Sequence, residues 1–564
     1  MELIAILVVF FVGSFVYSIF SSRKAVKTRR KYLENSFGQP PSAREKADMT
    51  SVDSAWVQYQ ADHPDTQAID DITWNDLDMD AVFNRINICQ TSVGEEQLYK
   101  TLRLANGVDA AFESHVKALY RDKEGRLNCQ SYLSQLGKAP HSGLAAFLAG
   151  ANKVHTLDYR LLTFLGVLPF LLLLSSFFIG FLGLLLAIPA AIFNVCYTAY
   201  FKTKVPASLS GMHYLSTMLW CAGKLCDVKV EGLSDLLAEI REAYQVFKSV
   251  KSKLSSVTAE SMSYSNADAL GEFGKLFLMT DVKSYAKSAH LIFKNKEKAW
   301  ALYEKLGMLD MLISVASFRK SLGAVCAPTY HDAMRIEMER MGHPLLIRPV
   351  ENSCEIKRDT LVTGSNASGK STFIKAVAVN ALLAQAINTC AAKAFTLPRA
   401  LVISSMALRD SIVKGDSYFV AEIKSLRRIA ETAQKRPCLC FVDEILRGTN
   451  TIERIAASAA VLYSLSRENC LCLVASHDIE LTRILENEFD NCHFSETVSD
   501  EGVTFDYVLK PGPSNTRNAI LLLSTMGFDK MIIDQAHSLV KTFEDTNAWP
   551  TFTNGEDSHA PENP

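Results

Sequence analysis

The longest apolar stretch of this chain lacks charge altogether: Leu161 to Phe201 contains no Asp, Glu, Lys or Arg over 41 residues. A soluble helix pair of that length keeps a polar stripe toward water, so an ordinary surface helix pair is excluded. About 20 apolar residues cross the hydrocarbon of a bilayer. The run therefore reads as a transmembrane helical hairpin over 161–201, turning near Ser175–Gly180, with Pro169 and Pro189 tolerable inside such spans. A second lack concerns the start. Ile4 to Phe20 is apolar, but no basic residue precedes it and no A-x-A site follows, which argues against a cleaved signal peptide. Instead Arg23, Lys24, Lys27, Arg29, Arg30 and Lys31 come after it. The positive-inside rule then makes residues 1–22 an N-terminal transmembrane helix with its start outside. The hairpin, bracketed by Arg160 and by Lys202 and Lys204, places both its ends on the same inner side.

Other absences narrow the class. None of the thirteen cysteines forms a C-x-x-C, so neither a zinc ribbon nor a disulfide framework is expected. The C-x-C pairs at 438/440 and 470/472 alternate along apolar stretches, where cysteine behaves as a small hydrophobe. A net charge of −2 gives no general basic field for nucleic acid. Lys283, Lys287, Lys294, Lys296 and Lys298 cluster locally, in the manner of a solvated helix face. No internal repeats are visible. A length of 564 residues suits two or three domains.

What is present begins with Leu361–Phe373, LVTGSNASGKSTF. It fills G-x-x-x-x-G-K-[ST], for which roughly 0.02 chance matches are expected in a chain this long. The residues Gly364, Ser365, Asn366, Ala367, Ser368, Gly369, Lys370, Ser371 and Thr372 form a loop whose amides converge on one nest. The helix behind it points its positive end there. Lys370 would reach the β- and γ-phosphates of a nucleotide, and the Ser371 hydroxyl would ligate Mg²⁺. Thr360–Thr363 reads as a strand and Thr372–Ala384 as a helix. Further on, Cys438–Val442 is an apolar strand ending in Asp443, which can hold the metal shell, and Glu444, which can orient or deprotonate a water. A third strand from Leu471 ends at His477, on the same sheet edge and within reach of a γ-phosphate.

These segments resemble the ATPase of the MutS mismatch-repair family. Gly364–Thr372 resembles its P-loop. Asp443–Thr451 (DEILRGTNT) resembles its metal-binding segment and D-loop, with Leu446 where glycine is usual. Ala475–Asp478 resembles its switch segment. Gly415–Ile423 (GDSYFVAEI) resembles its signature. The resemblance implies that Ser417 completes the partner subunit's site, hence a homodimer, with ATP and Mg²⁺ as ligands. It extends to Asp76–Asn87, Thr91–Gly94, Leu309–Ala316, Cys326–Pro328, Gly342–Leu346 and Lys510–Ser514. The family's mismatch-sensing module is longer than the segment ahead of residue 70. Phe494-Ser-Glu496 matches the module's Phe-x-Glu wedge but lies inside the ATPase, where it reads as a loop.

The expected fold is an α/β P-loop (ABC-type) ATPase domain plus an all-α lever domain interrupted by the hairpin. Its parts are residues 1–22, a basic juxtamembrane linker over 23–69, core helices over 70–160, the hairpin, core and lever helices over 202–325, the ATPase over 326–545, and a disordered tail over 546–564. The expected function is ATP hydrolysis coupled to binding of mismatched or otherwise non-standard DNA, with the ATPase on the cytoplasmic side of the plasma membrane and the lipid bilayer as a partner. The alternative is an ATP-gated membrane scaffold or signalling switch without DNA binding. An ABC-type exporter is excluded by the few spans and by the absence of Leu-Ser-Gly-Gly. Alkaline carbonate washing of membranes should leave the chain in the pellet. Release into the supernatant would refute the hairpin.

Overall fold

The structure is a computed structural model that describes residues 24–42, 49–139, 143–150, 159–204, 206–248, 278–365, 368–406, 418–447, 449–499, 502–514, 520, 523–524 and 526–551. The expected span over 1–22 lies outside the described residues, as does the tail beyond Thr551. The chain divides into two compact units, residues 1–328 with 380–391, and residues 329–379 with 392–564.

The first unit is built on the helix Lys296–Ser321. Its middle is apolar on every side: Leu302, Leu306, Leu309, Met311, Leu312, Ile313, Val315 and Phe318 are all buried. A helix wet on one face would show an amphipathic stripe, so this one must be central. The helices Ser92–Leu104, Phe112–Arg121 and Ser234–Phe247 pack around it. One acid inside that helix caps another. The Asp310 carboxylate, 1% exposed, accepts from the Gln90 amide (2.9 Å), the Thr91 amide (2.9 Å) and the Thr91 hydroxyl (2.6 Å). It thereby satisfies donors at the N-terminus of Ser92–Leu104, where negative charge is favoured. Two more buried acids have partners: Glu95 pairs with Lys138 at 2.6 Å, and Glu96 accepts from the Ser51 and Tyr303 hydroxyls, both at 2.5 Å. Residues 380–391 belong to this unit because Arg319 binds them, at 2.9 Å to the Asn388 carbonyl and 2.9 Å to the Thr389 hydroxyl, while pairing with Glu113 at 3.0 Å.

Within the segment expected to be a juxtamembrane linker, two described stretches are helical and dock apolar side chains. Residues 24–36 are helical, with Leu33 and the following Phe37 buried, and Arg126 stacks 3.6 Å from the Phe37 ring centre. The helix Met49–Asp62 buries Val52 and Trp56. These apolar residues at helical spacing supply a docking face that the basic count conceals.

Helices Tyr159–Ile179 and Phe181–Lys204 form the hairpin, and both are long and apolar enough to cross a membrane by length and composition. The turn is at Gly180 (φ 62°), beyond Ser175 and Ser176. Those serines stay helical because their hydroxyls donate back to the Leu172 (2.7 Å) and Leu173 (2.6 Å) carbonyls. Asn194 donates across the pair to the Leu165 carbonyl at 2.9 Å.

The second unit is α/β. Its strands are β1 (Thr329–Tyr330), β2 (Ile336–Met341), β3 (Asn352–Ile356), β4 (Thr360–Thr363), β5 (Ala394–Leu397), β6 (Leu401–Ser405), β7 (Cys438–Asp443), β8 (Cys470–Ala475), β9 (Asp490–His493), β10 (Glu496–Ser499), β11 (Gly502–Phe505) and β12 (Lys510–Pro511). The main sheet runs β12-β9-β4-β8-β7-β6, parallel except for β12. A second sheet runs β1-β5-β2-β3, and β10 pairs with β11. Every residue of β4, β7 and β8 is buried, which explains their unbroken apolar runs. The helix after β4 is longer than expected, Lys370–Ile387. At the start of the expected tail, Trp549 stacks on Phe543 with ring centres 4.3 Å apart.

Burial raises the Asp310 carboxyl to about 6, with its three donors opposing that shift. Its folded value lies above its unfolded one. It therefore favours the fold fully below pH 4 and loses that contribution as pH rises through 6, about 3 kcal/mol in all. Asp310→Ala should lower the apparent Tm at pH 5, by leaving buried amides unpaired, and should flatten the pH dependence between 4 and 7. Thermal unfolding in detergent across that range measures both effects.

Candidate functional site

The loop after β4 needs its two glycines for different reasons. Gly364 has φ 134°, and a Cβ there would lie 2.6 Å from the Phe494 carbonyl oxygen. Gly369 has φ 102°, and a Cβ there would press against the Tyr507 ring at 3.0 Å. The Ser368 amide (3.2 Å) and hydroxyl (2.7 Å) both donate to the Ser365 carbonyl. Asn366 and Ala367 lie outside the described residues. Lys370 is 1% exposed, and its Nζ donates to the carbonyls of Gly364 (2.6 Å) and Ser365 (2.8 Å). Burial lowers its ammonium to about 8, opposed by the nearby carboxylates Glu444, Asp443 and Glu496. Ser371, half-buried, and Thr372, exposed, occupy the first turn of the helix.

Asp443 ends β7, buried at 8% exposure, and its Oδ1 has no hydrogen-bond partner among the described residues. A buried orphan carboxylate oxygen at a strand tip suits a hard cation. The chain then turns sharply. Glu444 takes φ 54°, donates its amide to the Ala475 carbonyl at 2.9 Å, and aims its carboxylate between an imidazole and a guanidinium. His477 Nε2 is 2.8 Å from Oε1, and Arg447 Nε is 2.5 Å from Oε2. Burial works to raise the Glu444 carboxyl, but His477, Arg447 and Lys370 together hold it below the usual carboxylate range. Leu446 also sits in the left-handed region, φ 57°, which accounts for glycine being the usual residue at this step. Its amide donates to the buried Glu422 Oε1 at 2.5 Å, and its side chain is buried. These two contacts offset a backbone cost of about 1–2 kcal/mol.

The structure thus brings Gly364, Ser365, Ser368, Gly369, Lys370, Asp443, Glu444 and His477 to one end of the parallel sheet. Ser417 lies outside the described residues, although the helix that follows it, Tyr418–Ala433, is described. Three neighbours carry no role in the sequence reading. Arg447 and Glu422 sit inside the D-loop and signature segments, so their position was legible but their contacts were not. Glu496 accepts from the Ser365 hydroxyl at 3.2 Å, a contact across the fold with no local signal. Phe494 and Ser495 form a loop, as expected, with Glu496 starting β10, and this segment is a wall of the site. Phe494 is 1% exposed, donates its amide to the Thr363 carbonyl at 3.0 Å, and packs on Phe373 with ring centres 5.7 Å apart.

Sheet order and glycine loop together put the second unit among the P-loop α/β domains. Residues 360–544 match the family model for MutS domain V. The DNA mismatch repair protein MutS from one strain of Thermus thermophilus is 28% identical over 253 residues, 43% of this chain and 31% of that protein. The protein of that name from a second Thermus thermophilus strain is likewise 28% identical over 253 residues, 43% of this chain and 30% of its own length. The one from Thermus caldophilus is 28% identical over 240 residues, 42% of this chain and 29% of its own length. Residues 360–544 are thus similar to MutS domain V, and the chain spans about a third of the length of the curated relatives it matches.

Glu422→Ala leaves the buried Leu446 amide unpaired and frees a left-handed turn, a cost of about 1–3 kcal/mol. The expected result is a lower apparent Tm together with faster amide hydrogen exchange at 444–447. Unchanged exchange there would show that Glu422 does not hold the turn.

Proposed function

We propose that this chain is a membrane-anchored ATPase of the MutS type, which hydrolyses ATP in a dimeric composite site and couples that cycle to binding of mismatched or otherwise non-standard DNA. The observation that carries the reading is the convergence of Lys370, the unpartnered Asp443 oxygen and the Glu444–His477 pair at one sheet edge. Lys370 exchanges its loop carbonyls for the β- and γ-phosphates. Ser371 and Asp443 would hold Mg²⁺, which when bound neutralises charge on those phosphate oxygens. Glu444 orients the attacking water. A carboxylate whose basicity is depressed by His477 and Arg447 is better suited to orienting water than to full proton abstraction, which suits a loose phosphoryl-transfer transition state. His477 fixes the carboxylate and lies close enough to sense the γ-phosphate. Ser417 of a second copy completes the site.

An exposed apolar stretch supports the homodimer: Met526, Phe528, Met531 and Ile532 are 74, 49, 64 and 43% exposed, and helix Lys530–Thr546 has no buried residue. The membrane anchor draws support from Phe177, Phe178 and Phe181, exposed at 87, 91 and 75% around the hairpin turn. Such a patch is expensive in water. We assign the hairpin to the plasma membrane with the ATPase in the cytoplasm.

A second reading, an ATP-gated membrane switch without DNA binding, is favoured by one connection. The hairpin runs on through residue 205 into helix Pro206–Leu225, whose Met212, Leu215 and Leu219 are core residues of the helical unit. Lever motion and membrane are therefore covalently close. The test is ATP turnover of the detergent-solubilised or reconstituted chain with a panel of homoduplex, mismatched and branched DNA, and with vesicles of varied lipid. Glu444→Gln should bind ATP yet lose at least ~10²-fold in turnover. Stimulation by non-standard DNA supports the first reading, and response to lipid alone supports the second. Wild-type turnover in Glu444→Gln would remove that residue from its role.

A further inference from the structure

The two C-x-C pairs, separate in sequence, meet in the sheet. Strands β7 and β8 are parallel neighbours in a register that sets Cys438 opposite Cys470 and Cys440 opposite Cys472. Because side chains alternate with period two, all four thiols share one face of the sheet. The sulfurs of Cys440, Cys470 and Cys472 all lie within 4.8 Å of one another, and Cys470 and Cys472 are 3.7 Å apart. Cys438 lies on the same face, opposite Cys470, but its sulfur bonds the Arg436 carbonyl at 3.3 Å and lies outside the close trio. A closed-shell ion with metal–sulfur bonds of about 2.3 Å holds its tetrahedral thiolates roughly 3.8 Å apart. The trio matches that spacing for one pair and needs a contraction of up to about an ångström for the others, while Cys438 has to turn in to supply a fourth donor.

The surroundings sort the ion class. The cluster holds sulfur donors only, which selects against Mg²⁺, Ca²⁺ and Mn²⁺. It is closed: Cys438, Cys440 and Cys472 are 0% exposed and Cys470 is 9% exposed, beneath Ile429, Leu462, Leu465 and Phe489. Closure of this kind marks a structural site rather than one that admits substrate. The cluster is separate from the oxygen donors at the tip of the same strand, since Cys440 and Asp443 are three residues apart along β7, roughly 10 Å.

We propose that Cys440, Cys470 and Cys472, with Cys438 as the fourth donor, form a buried binding site for one thiophilic closed-shell cation, Zn²⁺ or Cu⁺. Binding releases thiol protons to solvent and involves no change of oxidation state. The ion would cross-link two adjacent strands of the main sheet at the end away from the P-loop.

The test uses the full chain in detergent, purified anaerobically under reducing conditions from cells supplied with zinc or with copper. Elemental analysis should find about one equivalent of one of these ions per chain. Metal-stripped wild type titrated with Cd²⁺ should develop an ultraviolet thiolate-to-metal charge-transfer band. Cys440→Ser should lose both the ion and the band, whereas Cys129→Ser, which alters a buried thiol elsewhere, should keep both. If Cys440→Ser fails to fold, the wild-type titration still decides. Wild type that binds none of the three ions overturns the proposal. So does a Cys440–Cys472 disulfide found by mass spectrometry in anaerobically reduced protein, or retention of the ion by Cys440→Ser.

Discussion

The level alignment of three parallel strand ends is the constraint on which the site depends. Ala475 at the end of β8 pairs with Val362 on one side and Asp443 on the other. That register brings the P-loop, the two carboxylates and His477 to the same height. A slip of one residue in β7 would turn Asp443, Cys438 and Cys440 to the opposite side of the sheet. Complete burial of β4, β7 and β8 prevents such a slip, because it would exchange the side chains packed on each face. Hydrophobic packing remote from the loop therefore sets the geometry of the polar groups.

At the strand ends the backbone departs from comfortable regions, and each departure has a local reason. Glu444 and Leu446 are both left-handed, so that within three residues the chain reverses direction and returns Arg447 to the Glu444 carboxylate. The turn is held from outside by Glu422 and by the Ala475 carbonyl. Strain of this kind persists where the surroundings over-determine it, which is common beside functional groups. The same helix that supplies Glu422 begins next to Ser417, so the signature segment and the D-loop are tied by a direct hydrogen bond within one chain.

The helical unit solves a different problem. Its central helix carries Asp310 into an apolar core, which is tolerable because the acid replaces water for two backbone amides and a hydroxyl at another helix's start. Glu96 is handled the same way by Ser51 and Tyr303. In the hairpin, by contrast, the outward side chains are largely apolar, and the bond from Asn194 to the Leu165 carbonyl runs between the two helices. One unit thus contains two regimes. In the core, the buried acids Asp310, Glu95 and Glu96 are paired, and on the hairpin the outer surface is largely apolar.

How much of this was legible depended on whether the signal was local. The glycine loop, the strands β4, β7 and β8, and the two apolar helices could be read because period, run length and glycine spacing are properties of neighbouring residues. So could the identities of Lys370, Asp443, Glu444 and His477. The turn falls at the Gly180 end of the stretch expected for it, since serine hydroxyls can satisfy themselves inside a helix. The folding of residues 24–37 and 49–62 onto the core was hidden, because Phe37 and Trp56 find their partners at Arg126 and Tyr99, far along the chain. The sequence alone determined which residues could bind phosphate or lie buried, because those are matters of chemistry and spacing. Only the tertiary structure decided that Glu496 faces Ser365, that Arg447 grips Glu444 and that four cysteines share one face. Those facts arise from strand order and register, which are settled by burial between segments that no local pattern connects.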